Sequence, residues 1–331
     1  MRQVRMQDVA DAAGVSTSTV SNYLHRPGRL KPDTAERIRQ AIEAFDYQPH
    51  SGAAELRGAR RGLIGVVIPD VTNYFYASIV RGVTDVALER GLSVVLCDSG
   101  DDPAREIALF DQLSERRALG AVVVPLSADH ERLQRLIRRG IQVVVADRAS
   151  ATSTGCSVGV DDVRGGRIAV EHLVAGGARD IAVINGAWSI KQCADRFQGA
   201  VGAAGKDASV RVRQVEVSAM TVEQGAAAAT SLLADLPDAL FCTNDFLAAG
   251  AVQALLAAGI EVPGQVRVVG YGDLELASLA QVPLTTISQP VAELGRLALE
   301  LLVADVNHGA EHQHAVSILE PALVVRESAP S

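Results

Sequence analysis

The side chains most often used in catalysis, Asp, His and Ser, are present in this sequence but not in a catalytic arrangement. No G-x-S-x-G elbow, P-loop or G-x-G-x-x-G motif follows a predicted strand. Gly165 and Gly166 open a predicted helix without the third glycine of a dinucleotide-binding loop. We therefore expect a protein that is not an enzyme and needs no cofactor.

Cysteine and histidine are the other residue types whose spacing could indicate chemistry. The four cysteines lie far apart, at Cys97, Cys156, Cys193 and Cys242. They form neither a C-x-x-C pair nor a Cys/His cluster, so we expect small buried side chains in a reducing compartment and no zinc site. His308 and His312 form an H-x-x-x-H pair around Gly309, and His314 follows. We expect a solvated loop there, with a metal site as the alternative.

Hydroxyl groups and one amide cluster between residues 16 and 22. Apolar residues of the segment 6 to 13 repeat with a helical period, Gly14 ends that helix, and Ser16 can cap a second helix that runs through Leu24. Residues 33 to 36 resemble a capping box that begins a third helix. Three short helices with a tight turn between the first two predict a helix-turn-helix unit.

Charge is distributed unevenly along the 331 residues, whose net charge is -8. Residues 1 to 61 carry ten Lys and Arg against seven Asp and Glu, a net charge of +3. Residues 62 to 331 carry 21 against 32, a net charge of -11. A basic segment on an acidic body indicates that one end meets a polyanion while the rest avoids it.

From residue 63 onward, short apolar runs alternate with amphipathic helical stretches. The first series of runs lies at 63–69, 93–97, 120–125 and 142–147. A second series lies at 180–186, 239–245 and 266–273. Near-continuous apolar strands separated by helices predict an α/β fold with two doubly wound parallel-sheet lobes. Ligands of such folds bind beyond the carboxyl ends of the strands, so the residues after each run are candidate binding residues.

Several motifs follow one another in a fixed order. They are DVADAAGVSTSTVSNYL, YQP, LIGVVIPDVTNYFYASIVRGV, ALFCTNDFLAAGAVQAL, VVGYGD and PLTTISQP. In this order they resemble the LacI/GalR family of bacterial transcription regulators over essentially the whole chain. The resemblance implies a helix-turn-helix head (1–46), a hinge (47–62) and a core of the periplasmic-binding-protein type (63–331). The N-lobe would comprise about 63–160 plus 291–320, and the C-lobe about 161–290 plus 321–331.

The resemblance also implies that two heads of a homodimer dock on a pseudo-palindromic operator, each with one helix in a major groove. Positions carried over as base-facing are Thr17, Ser18 and Asn22. Positions carried over as phosphate contacts or caps are Ser16, Thr19 and Ser21. Asn can pair with adenine through two hydrogen bonds, although family members often have Arg at position 22. The alternative is that these groups only cap and solvate a small helix.

In the family, the hinge folds on DNA and inserts a leucine into the minor groove, which points here to Leu56 with Ala53 beside it. Arg57 and the later arginines could contact phosphates. His50 and Gly52 depart from the family pattern. Pro49 and the glycines of 47–62 predict a flexible segment before DNA is bound, and an ordinary interdomain linker is the alternative.

The effector should bind between the lobes. Positions that match the family's pocket are Phe75, Tyr76, Asp147, Arg148, Arg196, Asn244 and Asp273. Phe75 could instead belong to the core, Arg148 could pair with a carboxylate, and Asp245 could be an N-cap. Gly272 stands where family members commonly have an acidic or amide residue. We expect a sugar, with sugar phosphate, nucleobase or another metabolite as alternatives.

We expect a cytoplasmic repressor that acts as a dimer. No apolar run reaches the roughly 18 residues needed to cross a bilayer, and polar residues follow the basic start where a signal peptide would be apolar. An exported transport-type binding protein would share the two lobes but needs a signal peptide and has no DNA-binding head. No heptad-bearing tail follows the core, which argues against a tetramer.

Overall fold

We describe the fold from a computed structural model of the chain. The structure describes residues 4–25, 30–47, 62–126, 130–147, 155–205 and 207–331. The chain separates into two compact units, Met1–Arg61 and Gly62–Ser331, which are considered one at a time.

The first unit is a bundle of three short helices, α1 (Met6–Ala13), α2 (Thr17–His25) and α3 (Pro32–Ala44). Gly14 ends α1 with a left-handed φ of 65°, a conformation that glycine adopts without steric penalty. The helices enclose a small apolar core that consists of Val9, Ala10, Ala13, Val20, Ile38, Ala41 and Tyr47. The predicted helix-turn-helix unit is therefore present.

The start of α3 differs from the prediction. The helix begins at Pro32, and Lys31 is the N-cap without a side-chain hydrogen bond. Proline suits the first helical position because its φ is fixed and its missing N–H is not needed there. Asp33 thus lies within the first turn, and the capping box predicted at 33–36 is wrong. Tyr47, which we assigned to the hinge, packs into the core of the head.

The second unit alternates strands and helices along the chain. Its strands are β1 (Leu63–Ile68), β2 (Ser93–Asp98), β3 (Gly120–Val123), β4 (Gln142–Ala146), β5 (Cys156–Val160), β6 (Asp180–Asn185), β7 (Arg211–Glu216), β8 (Ala239–Cys242), β9 (Arg267–Gly272), β10 (Thr285–Ser288), β11 (Val316–Leu319) and β12 (Ala322–Val324). Its helices are α4 (Tyr74–Glu89), α5 (Pro103–Glu115), α6 (His130–Arg138), α7 (Asp162–Ala175), α8 (Lys191–Ala204), α9 (Val222–Ser231), α10 (Asp245–Ala257), α11 (Glu275–Leu279) and α12 (Val291–His308).

The strands form two six-stranded sheets, one in each lobe. The N-lobe sheet has the order β11-β5-β4-β3-β1-β2, and all its neighbouring strands are parallel. The C-lobe sheet has the order β12-β10-β9-β8-β6-β7. Its strands are parallel except for β12, which pairs antiparallel with β10. The predicted pair of doubly wound lobes is confirmed, with an antiparallel edge strand as the one difference in strand direction.

The chain passes between the two sheets three times, after β5, after β10 and after β11. As a result α12 and β11, although late in the sequence, belong to the N-lobe. Leu294, Ala298 and Leu299 of α12 are buried in the N-lobe core. Each lobe is therefore assembled from separate stretches of sequence.

Three helix pairs approach each other through reciprocal glycines. A Cβ atom added to Gly166 of α7 would lie 1.9 Å from the carbonyl oxygen of Arg196 in α8. One added to Gly199 of α8 would lie 1.9 Å from the carbonyl oxygen of Val163 in α7. The same reciprocity links α4 with α12 and α9 with α10, at Gly82, Gly295, Gly225 and Gly250. Only glycine permits these backbone separations, because any side chain would overlap a carbonyl group.

The string G-C-S-V-G at 155–159 has the spacing of a nucleophile elbow but not its conformation. Its last four residues lie within β5, whereas an elbow forms a sharp turn between a strand and a helix. Ser157 is 1% exposed. This serine is part of a buried strand and is not presented to a substrate.

Candidate functional site

The polar residues at the start of α2 combine capping with exposure. Ser16 Oγ accepts a hydrogen bond from the Thr19 backbone N–H at 3.2 Å, which is the geometry of an N-cap. The same hydroxyl lies 2.7 Å from Ser18 Oγ and 2.8 Å from Thr19 Oγ1. Ser16 is therefore the N-cap of α2, and its hydroxyl group also positions the hydroxyl groups of Ser18 and Thr19.

Ser18 and Asn22 are exposed and lie one helical turn apart, whereas Val20 points into the core of the head. Thr17, Thr19 and Ser21 are half-buried. Helix α2 thus presents a row of short hydrogen-bonding side chains on the side away from its own core. The hinge candidates Ala53, Leu56 and Arg57 lie outside the described residues.

A cavity of about 660 Å³ lies between the two lobes of the second unit. Its walls come from residues that follow β1, β2, β3 and β4 of the N-lobe and β6, β7, β8, β9 and β10 of the C-lobe. This is the edge of each sheet at which ligands of doubly wound folds bind. The candidate residues that line it are Phe75, Tyr76, Asp147, Arg196 and Asn244. Arg148 lies outside the described residues.

Arg196 is the centre of a buried polar network, although it also lines the cavity. Its Nε donates to Asp162 Oδ1 at 2.8 Å, and its Nη1 donates to the Thr243 carbonyl oxygen at 2.7 Å. The guanidinium carbon lies 3.8 Å from the centroid of the Tyr271 ring, a cation–π contact. Tyr271 donates its own hydroxyl hydrogen to Asp162 Oδ1 at 2.7 Å.

The network fixes the protonation of its members. Burial by itself lowers the pKa of Arg196, but Asp162 and then Tyr271 raise it by more, so the pKa lies above its ordinary value and the guanidinium stays charged. Burial and then the charge of Asp162 raise the pKa of Tyr271 well above its ordinary value, so its hydroxyl remains a donor. The cavity wall therefore includes a charged guanidinium that is paired with the Asp162 carboxyl group.

The two glycines that open α7 make this network possible. A Cβ atom at Gly165 would lie 2.4 Å from the Tyr271 hydroxyl, and one at Gly166 would overlap the backbone of Arg196. Gly165 therefore leaves room for the phenol, and Gly166 lets α8 come close enough for Arg196 to reach Asp162. These glycines therefore make room for the polar network that borders the cavity.

Asn244 lines the cavity, but its amide is already engaged. Its side-chain oxygen accepts from the Leu247 backbone N–H at 2.8 Å and caps α10, and its Nδ2 donates to the Met220 carbonyl oxygen at 3.0 Å. The N-cap is thus Asn244, and the alternative that assigned this role to Asp245 is wrong. Asp245 is fully buried, where it accepts from Thr286 Oγ1 at 2.6 Å and from the Leu274 backbone N–H at 2.8 Å.

A hydrogen bond crosses the cavity between the lobes. Gln192 Nε2, on α8 of the C-lobe, donates to Asp147 Oδ2 at 2.8 Å and to the Asp147 carbonyl oxygen at 3.2 Å. Asp147 directly follows β4 and has a positive φ of 67°. The hydrogen bonds between Gln192 and Asp147 therefore help to hold the two lobes at the observed angle. A ligand in the cavity could replace these hydrogen bonds.

Asp273 is the candidate that the structure does not bring to the cavity wall. It lies on a neighbouring cavity of about 480 Å³, and its Oδ1 accepts from Arg326 Nη2 at 2.6 Å. Gly272 takes the adjacent place on the main cavity with a φ of 128°. A residue with a side chain is strained in that conformation, so glycine here is required by the backbone turn.

Several polar groups of the cavity are not predicted by the sequence. Gln192 Oε1 and Gln289 Oε1 are buried and accept no hydrogen bond within the described part of the chain. Gln289 follows β10, a strand that we did not predict, although the rule that residues after strands bind ligands would have identified it. Gln192 and Tyr271 lie inside a helix and a strand, where that rule does not apply.

Acidic residues form the N-lobe side of the cavity. Asp70 follows β1, and its Oδ1 accepts from the backbone N–H and the hydroxyl of Thr72 at 2.8 and 2.7 Å. Asp101 follows β2, and burial together with the charges of Asp70 and Asp98 raises the pKa of its carboxyl.

Phe75 and Tyr76 pack on the N-lobe core and also line the cavity, with ring centroids 5.5 Å apart. Phe75 therefore belongs both to the N-lobe core and to the wall of the cavity, so the two alternatives predicted for it each hold in part.

Groups suited to metal binding occur in one place among the described residues. Cys156, His312 and His314 bring their ligand atoms within 4.8 Å of one another. None of the three lines the cavity between the lobes. No helix in the described part of the chain is both long and apolar enough to span a bilayer.

Comparison with protein families gives two matches. Residues 5–50 match the family described as bacterial regulatory proteins, lacI family. Residues 170–329 match the periplasmic binding protein-like domain. The first match covers the helix-turn-helix unit, and the second covers much of the two-lobed unit.

Individual proteins match over almost the whole length. The HTH-type transcriptional regulator DegA of Bacillus subtilis is 31% identical, with 97% of this chain and 96% of that protein covered. The ribose operon repressor of Escherichia coli is 33% identical, with 98% of this chain and 99% of that protein covered. The crystal structure of the lac repressor dimer bound to operator and the anti-inducer ONPF is 26% identical and covers 100% of both chains, with a TM-score of 0.87. On these similarities and on its fold, the chain belongs to the lacI family of bacterial regulatory proteins.

Proposed function

We propose that this protein is a sequence-specific DNA-binding transcription repressor whose binding to a pseudo-palindromic operator is controlled by a small molecule. The observation that carries the proposal is the exposed polar row of α2, with Ser18 and Asn22 one turn apart on a helix-turn-helix unit. An Asn amide can donate to and accept from adenine in the major groove, and a serine hydroxyl can serve either base or phosphate. Thr17 and Thr19, both half-buried, flank Ser18 on either side.

The proposal assigns residues 1–46 together with Tyr47 to the DNA-binding head, the rest of 47–62 to a hinge and 63–331 to the effector-binding core. Two heads of a homodimer would read two half-sites, because pairing raises the affinity of each weak contact. The lac repressor in the similar structure is a dimer on its operator. A repressor acts where the chromosome is, which places the protein in the cytoplasm. The relatives above are named as regulators and support a role without catalysis.

The charge of the cavity favours an uncharged polyhydroxyl effector, a sugar. Among the described lining residues, four carboxylates face one guanidinium: Asp70, Asp101, Asp147, Glu223 and Arg196. This excess of negative charge opposes a phosphorylated ligand. The amide oxygen of Gln289, which accepts no hydrogen bond from any described residue, and the carboxylates supply acceptors for hydroxyl hydrogens. The ring of Phe75 or Tyr76 offers an apolar face.

The direct test is fluorescence anisotropy of labelled DNA from upstream of the protein's own gene, at stated salt, with added sugars, sugar phosphates and purines. We expect preferential binding to one palindromic fragment and a change in its affinity with one neutral sugar. Failure to bind any fragment of a genomic library specifically, with or without these compounds, would contradict the regulator proposal. A response to a sugar phosphate instead would contradict only the assignment of the effector.

Two variants separate the two sites. Asn22→Ala should weaken operator binding by about tenfold or more, the loss of one good base contact, and leave effector affinity unchanged. Gln289→Leu keeps the size of the side chain and removes its amide, so it should weaken effector binding and leave operator affinity without effector unchanged. If each variant lost both activities equally, these assignments would be wrong.

A further inference from the structure

Three potential metal ligands meet at one end of the N-lobe sheet. Cys156 Sγ lies 3.2 Å from His312 Nε2 and 3.9 Å from His314 Nδ1. Cys156 is the first residue of β5, and the two histidines lie in the segment that joins α12 to β11. Residues more than 150 positions apart in sequence therefore place a sulfur and two imidazole nitrogens together.

A fourth potential ligand lies beside His314. Asp305, in the last turn of α12, is 2% exposed, and its Oδ2 accepts no hydrogen bond within the described part of the chain. This oxygen lies 4.0 Å from His314 Nδ1. A buried carboxylate oxygen without a donor is unfavourable and is usually explained by a bound cation or water.

We propose that Cys156, Asp305, His312 and His314 bind one divalent transition-metal ion of the zinc class. In a tetrahedral site with zinc–sulfur and zinc–nitrogen bonds of about 2.3 and 2.0 Å, the sulfur and nitrogen atoms lie about 3.5 Å apart. The two observed sulfur–nitrogen separations, 3.2 and 3.9 Å, bracket this value. Small side-chain rotations would bring the sulfur and both nitrogen atoms to an ion. Asp305 Oδ2, which lies 4.0 Å from His314 Nδ1, would have to move further to become the fourth ligand.

The donor set selects the kind of ion. A thiolate with two imidazoles prefers zinc, cobalt or nickel over magnesium or calcium, which prefer oxygen ligands. On binding, the Cys156 thiol transfers its proton to solvent and the sulfur forms the metal bond. Burial raises the pKa of this thiol, whereas the Ala315 backbone N–H, 3.4 Å from Sγ, lowers it. Four protein ligands leave no open position for substrate, so the site would be structural.

The sequence alone suggested a different pair of histidines. His308 and His312 were the H-x-x-x-H candidates, but His308 is exposed and its Nδ1 lies 2.7 Å from the Ala304 carbonyl oxygen within its own helix. The expectation that the cysteines take part in no Cys/His cluster is wrong for Cys156. It is not possible to find this cluster from local spacing, because β5 and β11 become neighbours only in the folded sheet.

The effect of the ion would be to clamp three elements. It would join the first residue of β5, the end of α12 and the segment leading to β11. Because the ion binds the folded chain and not the unfolded one, it should raise the melting temperature. Such a clamp would act independently of the DNA-binding head.

The test is a Co²⁺ titration of the full-length protein, free of any polyhistidine tag and dialysed against chelator. We expect a sulfur-to-cobalt charge-transfer band and the visible bands of tetrahedral cobalt, saturating at one ion per chain and abolished by Zn²⁺. Cys156→Ser should remove the charge-transfer band. His314→Ala and Asp305→Asn should weaken cobalt binding by at least about tenfold.

Matched controls exist for both ligand types. Cys97→Ser removes another buried cysteine, and His308→Ala removes the neighbouring histidine, so both should bind cobalt as the wild type does. If Cys156→Ser fails to fold, His314→Ala decides the matter, since this side chain is 44% exposed and tolerates truncation. No cobalt spectrum from the wild type, or an unchanged spectrum in His314→Ala, would overturn the proposal.

Discussion

Arg196 shows how one side chain serves both the stability of the C-lobe and its ligand site. Two of its five N–H donors bind Asp162 and Thr243, and its flat face rests on Tyr271. Arg196 is 7% exposed, so its charge is compensated by the neighbouring carboxyl group of Asp162 and not by water. Removal of Arg196 would therefore disturb the protein before any ligand is added.

We expect Arg196→Met to lower the free energy of unfolding by about 3–5 kcal/mol, because it leaves the Asp162 carboxylate buried without its cation. In the double variant with Asp162→Asn the loss should be smaller than the sum of the two single losses. Urea unfolding measures all three. The control is Arg164→Met, which breaks an exposed pair with Glu320 and should change stability by less than about 1 kcal/mol. An equal loss in both arginine variants would contradict the buried-network description.

Asp245 should make the folded protein less stable as the pH rises, which is the opposite of the usual effect of a carboxyl group. Burial raises the pKa of this carboxyl above its ordinary 3.8, although Thr286 and the Leu274 N–H oppose the shift. The folded chain then takes up a proton at a higher pH than the unfolded chain does. The contribution of Asp245 to stability therefore rises as the pH falls towards 3.8 and is lost as the pH rises through the raised pKa.

Relative to Asp245→Asn, the wild type should thus lose stability as the pH rises from about 4 to 7, as measured by urea unfolding. Asp238 is the control because backbone N–H groups of Asp180 and Arg179 lower its pKa. The difference between the wild type and Asp238→Asn should stay level over most of that range and shrink only at its acidic end. Parallel curves for the two variants would exclude a raised pKa at Asp245.

At the level of elements, the reciprocal glycines set the distances between packed helices. Gly166 and Gly199 let α7 and α8 touch backbone to backbone, and that contact brings Arg196 to Asp162. The close packing of α7 and α8 therefore determines the position of Arg196 in the wall of the cavity. Nothing in the local sequence distinguishes these glycines from others in the same helices.

We expect Gly199→Ala to destabilise the protein by about 1–3 kcal/mol, because the new methyl group would overlap the Val163 carbonyl oxygen. Gly202→Ala in the same helix has no atom within 4 Å of the added Cβ and should stabilise by about 0.5–1 kcal/mol through helix propensity. Thermal or urea unfolding of the two variants gives the comparison. Stabilisation by both substitutions would show that α7 and α8 can separate freely.

The sequence predicts the elements well where local patterns determine them. The apolar runs gave β1 to β4, β6, β8 and β9, and the head helices followed from periodicity and Gly14. The remaining strands form no long apolar run: β7 is half exposed and carries charged residues, β5, β10 and β11 include Ser, Thr or Gly, and β12 has only three residues. The resemblance to the family identified Arg196 as a candidate binding residue. Its pairing with Asp162 depends on the contact between α7 and α8, which no local sequence pattern predicts.

At the level of the whole molecule, the distribution of charge separates the two kinds of binding. The head segment carries +3 and the remaining chain -11. Binding of the head to DNA releases counterions from phosphates, whereas binding of an uncharged sugar in the cleft does not. The two affinities should therefore respond differently to salt.

Between about 50 and 200 mM salt we expect operator affinity to fall by about three to five orders of magnitude if six to ten phosphates are contacted by the dimer. Effector affinity should change by less than about twofold, since a neutral ligand displaces no counterions. Anisotropy measures the first quantity and calorimetry the second, in the same buffers. A steep salt dependence of effector binding would instead identify an anionic ligand.

The three passages of the chain between the lobes also affect how the protein is synthesised. The N-lobe needs α12 and β11, but residues 161–290 must be made before α12 begins. At ordinary rates of translation this takes roughly ten seconds. During that time the nascent N-lobe sheet exposes the apolar face that Leu294, Ala298 and Leu299 later cover. Truncation before residue 291 should therefore leave the apolar core of the N-lobe uncovered and lower the solubility of the fragment.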